Sequence, residues 1–320
     1  KAIKRLAPQF GQVILAGYGP LVKDLIDGGI VLGIDWSAYN MKYFFAAEGF
    51  TEKFRDYIGA KGGVKNILTS TINHYGTADM GTMAHETPLS ILLRRIALEY
   101  PPLYTDLFID AHRQPTVAQY IPELYYFEAI EGRLLCSGRS GLPLMRYDLK
   151  DKGGVLSLAS VVEKAQLHGV DMYGEARSHG IDTHTWNLPF VYLYERTDFT
   201  VGIYSVNVYP ESIKKALQEK ELEDALSGKF TMRVDFDEVQ NQFLEINVEL
   251  KTGVGDTDEL RDRIKKSVIA WLLKENSEWR DFYADDGIRH KIIPRIVPWP
   301  YQDPKYFRAG RKQQWVERQK

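Results

Sequence analysis

The sequence predicts an α/β protein in two domains, residues 1–197 and 198–320, and three observations carry that expectation. Strand and helix signals alternate through the first hundred residues, which argues for an α/β layer. From Leu124 the apolar pattern shifts to period two, the signature of an antiparallel β-subdomain appended to that layer. Beyond Asp198 two alternating strands precede a long one-sided helix, so this part reads as a small α+β domain. At 320 residues the chain exceeds the roughly 250–300 at which a single core stops growing.

Taken in order, Val13 to Ala16 reads as a buried strand, Gly17 to Pro20 as a turn, and Leu21 to Ile26 as a helix with Val22, Leu25 and Ile26 on one face. Residues 43–58 read as helical, and Asn66 to Thr71 as a short strand leading to the cluster Asn73, His74, Tyr75, Gly76, Thr77, Ala78, Asp79. Ligands in α/β layers sit beyond the carboxyl ends of strands, which is where that cluster falls. Leu89 to Tyr100 reads as a helix stopped by Pro101 and Pro102. Leu124 to Ile130 and Arg133 to Cys136 flank Glu131-Gly132 as a hairpin, and a third strand, Leu144 to Tyr147, leads to Asp148 and Asp151. Residues 166–189 show no clear period.

The apolar strand at Tyr192 ends in Arg196-Thr197-Asp198, and the chain resumes as the alternating Val206 and Val208 before Pro210 opens an amphipathic helix. Met232, Val234, Phe236 and Leu244, Ile246, Val248, Leu250 predict two half-buried strands. Leu260, Ile264, Val268, Trp271 and Leu272 recur at steps of three and four, which puts them on one helical face. From Lys291 the chain reads as irregular, Pro-rich and basic.

Composition narrows the class of partner. Forty-one basic against 43 acidic residues leave a formal charge of −2, so no global field favours nucleic acid or an anionic membrane. No apolar run approaches the roughly 18 residues of a membrane span. The single cysteine, Cys136, cannot form an internal disulfide, and with these facts it predicts a reducing, cytoplasmic setting.

Several stretches carry chemistry, each beside a plainer alternative. Tyr75 to Asp79 offers an aromatic face, a glycine that permits close backbone approach, a hydroxyl for a phosphate oxygen, and a carboxylate able to hold Mg²⁺. The alternative is a turn capped by Thr77 or Asp79. In Arg146 to Asp151 a carboxylate follows a strand, where it could accept both hydroxyls of a ribose; acidic turns after strands are also common. Arg196 and Asp198 suit a ligand site, a pivot or a structural ion pair. His179 and His184 are five steps apart, which does not put two imidazoles on one helical face, so they read as exposed or hydrogen-bonded. Cys136, in an apolar run, reads as a buried inert thiol. Trp299, Tyr301, Tyr306 and Trp315 read as ordinary packing residues rather than a stacking platform.

In this order, YGTAD, GLPLMRYDLKD, YERTDFTVGIYSVNVYPESI and a terminal GRKQQWV resemble the adenylate-forming acyl-ligase superfamily. The similarity is closest to its phenylacetate-coenzyme A ligase and capsule-biosynthesis-type branch, where the corresponding stretches look like YGxSE, PLIRYRTGD, GRxDDMxxVRGVNVYP and a late GK. It runs from about Val13 to the end, and its most specific part is the RTD followed by VNVYP. The resemblance implies the later part of an amino-terminal domain, then a mobile carboxy-terminal lid.

It also implies ATP-dependent activation of a small carboxylic acid to an acyl-adenylate, then transfer to the thiol of coenzyme A, with ATP/AMP, Mg²⁺ and coenzyme A as cofactors. Tyr75 would stack on adenine beside Gly76, with Gly17 of LAGYGP by the adenine or acyl pocket. Thr77 and Asp79 would stand at the α-phosphate and Mg²⁺. Asp151 would bind the ribose hydroxyls with Arg196 close to the same sugar, Asp198 would be the hinge, and Lys312 the mobile catalytic lysine.

The sequence departs from the family pattern at several positions: Asp79 stands where glutamate is usual, Glu195 and Ser205 stand for glycines, Phe199 for the second hinge aspartate, and Arg311 is inserted before Lys312. No Ser/Thr/Gly-rich phosphate loop of the family's kind occurs in the 320 residues. Two function classes follow: an acid ligase, whose acceptor is coenzyme A or alternatively a non-coenzyme A group, and a diverged nucleotide- or acyl-adenylate-binding protein without full turnover.

Overall fold

A computed structural model describes residues 2–111, 114–194, 200–308 and 315–317. Arg196, Asp198, Arg311 and Lys312 lie outside the described residues. The chain divides into two compact units, Lys1–Thr197 and Asp198–Lys320.

The first unit opens with a short helix, α1 (Ala2–Leu6), before β1 (Val13–Tyr18), α2 (Gly19–Val31) and β2 (Met41–Ala46). Next come α3 (Glu52–Lys61), α4 (Ile67–Ser70) and β3 (Thr71–Thr77). Strands β1, β2 and β3 run parallel, with Gly17 opposite Phe45 and Phe45 opposite Asn73. Two expectations are corrected here. Residues 43–46 belong to β2, whose Met41, Tyr43 and Phe45 alternate into the core, and the helix starts only at Glu52, where the Thr51 hydroxyl accepts from the Phe54 N–H at 3.2 Å. Asn66 does not begin a strand; its side chain caps α4 by accepting from the Leu68 N–H at 3.0 Å, and extended backbone starts at Thr71.

The chain then turns antiparallel. β4 (Gly81–His85) leads through α5 (Pro88–Glu99) and α6 (Pro101–Leu107) to β5 (Thr116–Gln119), β6 (Tyr125–Ile130), β7 (Arg133–Ser140) and β8 (Leu142–Leu156). Helices α7 (Leu158–Leu167) and α8 (Met172–Ser178) precede β9 (Phe190–Tyr194). The two prolines after α5 start α6, since a proline at the first helical position needs no N–H partner. The stretch from 166 to 189 contains α8 and the end of α7, helices too short to show a period. The strands form one nine-stranded sheet in the order β1-β2-β3-β4-β5-β9-β8-β7-β6. Alternate residues of β5 and β9 feed opposite faces. Val117, Phe190, Tyr192 and Tyr194 pack under α5 to α8, whereas Ala118 and Val191 join Tyr75, Met83, Tyr120, Phe127 and Leu149 in a second cluster.

In the second unit β10 (Val201–Ile203) and β11 (Val206–Val208) form a tight hairpin whose turn residues, Tyr204 and Ser205, have φ of 48° and 70°. Helix α9 (Pro210–Leu217) follows, then β12 (Leu226–Phe236), β13 (Gln242–Leu250), α10 (Asp258–Glu275), α11 (Ser277–Ala284), α12 (Arg289–Ile292) and β14 (Arg295–Trp299). β12 pairs antiparallel with β13, which pairs parallel with β14. Leu260, Ile264, Val268 and Leu272 of α10 are buried, as their spacing predicts. Trp271 is not among them: its indole N–H donates to Glu219 at 2.7 Å and its ring lies under the Lys274 ammonium. The part read as irregular from Lys291 contains β14, a strand hidden from pattern reading by Pro298. Trp299 donates to Asn247 at 2.6 Å and meets Tyr306 edge-on, so both rings are packing residues. No helix among the described residues is long and apolar enough to cross a membrane.

Candidate functional site

The candidate site lies where β3 changes partners. Thr71 to Asn73 pair parallel with β2, and His74 to Thr77 pair antiparallel with β4. The chain reverses over Ala78 to Met80 with Gly81 at φ 71°. Gly76 is required by space: a Cβ there would stand 2.5 Å from the Gly81 carbonyl oxygen. The turn is held internally. The Met80 N–H donates to Thr77 Oγ1 at 3.2 Å, and Tyr125 donates its hydroxyl to the Met80 carbonyl at 2.9 Å. With that acceptor role filled, the Thr77 O–H is left to donate.

Strand β8 meets this hairpin through two crossed hydrogen bonds. Tyr75 of the hairpin donates to Asp151 Oδ2 of the strand at 2.5 Å; Tyr147 of the strand donates to Asp79 Oδ2 of the hairpin at 2.7 Å. Tyr75 is 7% exposed, with its ring against Phe127 at 6.1 Å, and Asp151 is 6% exposed, whereas Asp79 is exposed. Asp148 and Asp151 do not sit in a turn after a short strand, as the sequence suggested, but within a 15-residue strand. Arg146 and Lys150 adopt φ of 49° and 62°, and the β7–β8 register shifts near them. Such irregularities re-aim side chains. Asp148 consequently points to the surface, where the Lys150 backbone N–H, its ammonium and Arg133 hold its carboxyl down to about 2. Asp151 points inward.

A buried charge lattice fixes the strand just before the site. The Asn73 N–H donates to Glu86 Oε2 at 2.8 Å, and the Glu86 N–H returns a bond to the Asn73 carbonyl at 2.8 Å. Arg55 then joins Glu86 at 2.6 Å to Glu52 at 3.0 Å, and Arg94 lies 3.5 Å from each carboxylate. Burial opposes the charge on Glu52, but Arg55, Arg94 and Arg95 outweigh it and hold the carboxyl below its usual range. Beside Asn73, the loop after β2 comes in: the Asn73 amide donates to the Glu48 carbonyl at 2.9 Å, and Tyr18 donates to the Glu48 carboxylate at 2.7 Å. Sequence reasoning missed both groups. The small residues Ala46-Ala47 at the carboxyl end of a parallel strand were the available signal for the loop. Nothing in the sequence marks Glu52, Arg55, Glu86 and Arg94 as buried.

Tyr75, Gly76, Thr77, Asp79 and Asp151 are thus brought together. Gly17 is not brought to Tyr75: it is the next-to-last residue of β1, two strands from Asn73, or roughly 10 Å at ordinary strand spacing. Arg196, Asp198 and Lys312 lie outside the described residues. His179 is exposed with Nδ1 at the Glu175 carbonyl, and His184 contacts Thr183, while no group of three or more His, Cys, Asp or Glu among the described residues is placed to hold a metal. Cys136 is fully buried, and burial pushes its thiol up to about 12, so it is unreactive.

No protein-family model matches the chain, and no curated protein matches it. Solved structures do. The amide bond synthetase McbA from Marinactinospora thermotolerans matches over 94% of this chain and 50% of its own, at 13% identity and a TM-score of 0.50. A 2-hydroxyisobutyryl-CoA ligase in the postadenylation state matches over 95% and 54%, at 14% identity and a TM-score of 0.40. A domain of a phenylacetate-coenzyme A ligase from Bacteroides vulgatus matches over 37% and 91%, at 18% identity and a TM-score of 0.24. The chain shares the fold of that amide bond synthetase. The chain spans about half the length of the two enzymes first named.

Proposed function

We propose that the chain takes part in activating a small carboxylic acid with ATP as an acyl-adenylate, and in passing the acyl group to the thiol of coenzyme A. The observation that carries this reading is the crossed pair Tyr75–Asp151 and Tyr147–Asp79, which unites the two motif stretches in one site.

In the first half-reaction a carboxylate oxygen attacks the α-phosphorus and the α–β anhydride bond breaks, releasing pyrophosphate; positioning and charge stabilisation dominate such a step. Thr77 donates its hydroxyl to an α-phosphate oxygen. Asp151, oriented by Tyr75, accepts from the ribose hydroxyls, with Arg196 at the same sugar. Adenine lies against the ring of Tyr75. Asp79 fits Mg²⁺, which uses one or two carboxylates alongside phosphate oxygens: it is exposed, and Tyr147 orients only one of its two oxygens. The ion would neutralise phosphate charge there. In the second half-reaction the thiolate attacks the acyl carbonyl and AMP leaves. Rotation of the unit beyond Asp198 exchanges Lys312 at the phosphate for the thiol acceptor.

The test is acid-dependent exchange of labelled pyrophosphate into ATP across a panel of carboxylic acids, followed by thiol consumption when coenzyme A is added. Exchange with at least one acid supports activation, and loss of thiol supports the acceptor. ATP binding with no exchange for any acid would transfer support to the binding protein without turnover.

A further inference from the structure

An open cleft of about 370 Å³ lies at the start of β3, whereas the motif residues stand at its end. β2, α4 and β3 line it with Lys42, Asn66, Leu68, Thr69 and Ile72, and Pro88 of α5 adds to them. The segment between α8 and β9 supplies Gly180, His184 and Trp186. Five residues separate Ile72 from Thr77, roughly 16 Å at the rise of a strand. The cleft is therefore a place apart from the residues assigned above to the nucleotide.

Its chemistry is that of a cation without a counter-ion. The half-buried Lys42 ammonium donates to the Thr69 carbonyl and to Ser70 Oγ, each at 3.0 Å, and both acceptors are neutral. No Asp or Glu among the described residues pairs with it, and none lines the cleft. An ammonium has three N–H donors, so one is left over. The other polar side chains of the wall also have donors to spare. Asn66 spends its carbonyl oxygen on the Leu68 N–H at 3.0 Å, and its amide makes only a long contact of 3.5 Å to the His179 carbonyl. The Thr69 hydroxyl and the Trp186 indole N–H make no hydrogen bond among the described residues. His184 meets Thr183 Oγ1 through Nδ1 at 3.1 Å; in the tautomer that accepts there, Nε2 carries the proton and donates. This second bank is held in place, because Gln119 donates to the carbonyls of Trp186 and Leu188 and the His184 N–H donates to the Ile181 carbonyl at 2.9 Å.

A cationic ligand would meet Lys42 without a carboxylate to offset the repulsion, and a wholly apolar one would cover the spare N–H and leave it unpaired. An oxyanion satisfies both. Donors on both banks outnumber the two oxygens of a carboxylate but suit the three terminal oxygens of a phosphate monoester, which also carries more charge at pH 7. A cavity of roughly 150 Å³ holds one benzene ring, so the space admits a phosphate with an aryl arm, for which Leu68, Ile72, Pro88 and the indole give apolar contact. We propose that this cleft binds the phosphate of a small phosphate monoester, with Lys42 and His184 on its oxygens and the organic arm against Trp186 and Ile72. Adenylate formation at the motif hairpin is not a premise of this assignment.

The probes are phenyl phosphate, benzoate and benzyl alcohol, titrated calorimetrically into the full chain and into Lys42→Met, His184→Ala and Thr77→Val. Phenyl phosphate should bind at least tenfold tighter than benzoate, and benzyl alcohol should not bind. Lys42→Met, which keeps the length of the stem, should weaken phenyl phosphate at least tenfold, and His184→Ala at least threefold. Thr77→Val should leave its affinity unchanged. No binding of phenyl phosphate, equal binding of benzoate or benzyl alcohol, or indifference to both Lys42→Met and His184→Ala overturns the proposal. Weakening by Thr77→Val alone overturns it too, since the phosphate would then sit at the motif hairpin. Should Lys42→Met lose its fold by circular dichroism, His184→Ala decides, because His184 is exposed on a surface turn and its removal leaves the core untouched.

Discussion

At the scale of single residues, a phenol proton shared with a largely buried carboxylate is the most consequential contact in the site. Hydrogen bonds to charged groups contribute about 1.5–3 kcal/mol, and Tyr75 and Asp151 are both nearly inaccessible. Tyr75→Phe and Asp151→Asn should each lower stability, and the double variant should lose less than the sum by about 1 kcal/mol or more. Urea unfolding of the four proteins measures this, and additive losses would mean that the two groups do not depend on each other. Residue types at the site were legible: an aromatic, a glycine, a hydroxyl and two carboxylates stood out in the sequence. Their partners were not. Tyr75 and Asp151 are 76 positions apart, and Tyr147 and Asp79 are 68 apart, so each pairing is decided by sheet order rather than by local spacing. Ser205 is a converse case, since its departure from the family's glycine is visible in the sequence, but only the structure gives it a φ of 70°, where glycine sits without cost.

At the scale of elements, α3, α5 and the end of β4 converge on β3 through Glu52, Arg55, Arg94 and Glu86. Breaking a buried pair by removing one partner costs about 3–5 kcal/mol, because the other charge stays behind. Arg55→Met should therefore destabilise by that order, with Glu86 left beside Asn73 without its strongest counter-charge. Glu52 adds a pH signature. Its folded carboxyl titrates below the unfolded value of about 4.3, so its contribution is complete above that pH and is lost as pH falls through the lower folded value. Glu52→Gln should remove that part of the acid limb, read as the urea midpoint between about pH 2 and 6, and an unchanged acid limb would mean that other carboxylates carry it. The lattice was illegible for a physical reason: a Glu-Arg pair three apart on a helix looks the same in sequence whether it faces water or a sheet. The boundary of β2 failed similarly, because aromatic residues suit a helix face and a strand alike, and only the alternation of Met41, Tyr43 and Phe45 separates them.

At the scale of the whole molecule, the alternation of strands and helices was enough to give the α/β class, and clean period-two runs gave β12 and β13. The order of strands was not accessible, because nothing local says that β9 inserts between β5 and β8. The proposed exchange of poses also belongs to this scale. A lysine required only in the adenylating pose should affect one half-reaction. Lys312→Ala should depress pyrophosphate exchange by at least 100-fold, equivalent to about 2.7 kcal/mol or more of lost charge stabilisation. Thioester formation from a supplied acyl-adenylate should be nearly unchanged. Equal loss in both assays, or the same selective loss from Arg311→Ala, would assign the cation elsewhere.

The position of β9 has a consequence for how the chain is made. It is the last strand of the first unit to leave the ribosome, yet it lies in the middle of the sheet, pairing with β5 from Gln119 to Thr116 and with β8 from Leu156 to Lys152. Until Phe190 to Tyr194 emerge, a nascent chain carries two unpaired edges facing an empty slot. Open edges are templates for aggregation, and pairings between distant segments form late. The interval between synthesis of β8 and arrival of β9 is therefore the stretch of translation in which this protein has most need of a chaperone.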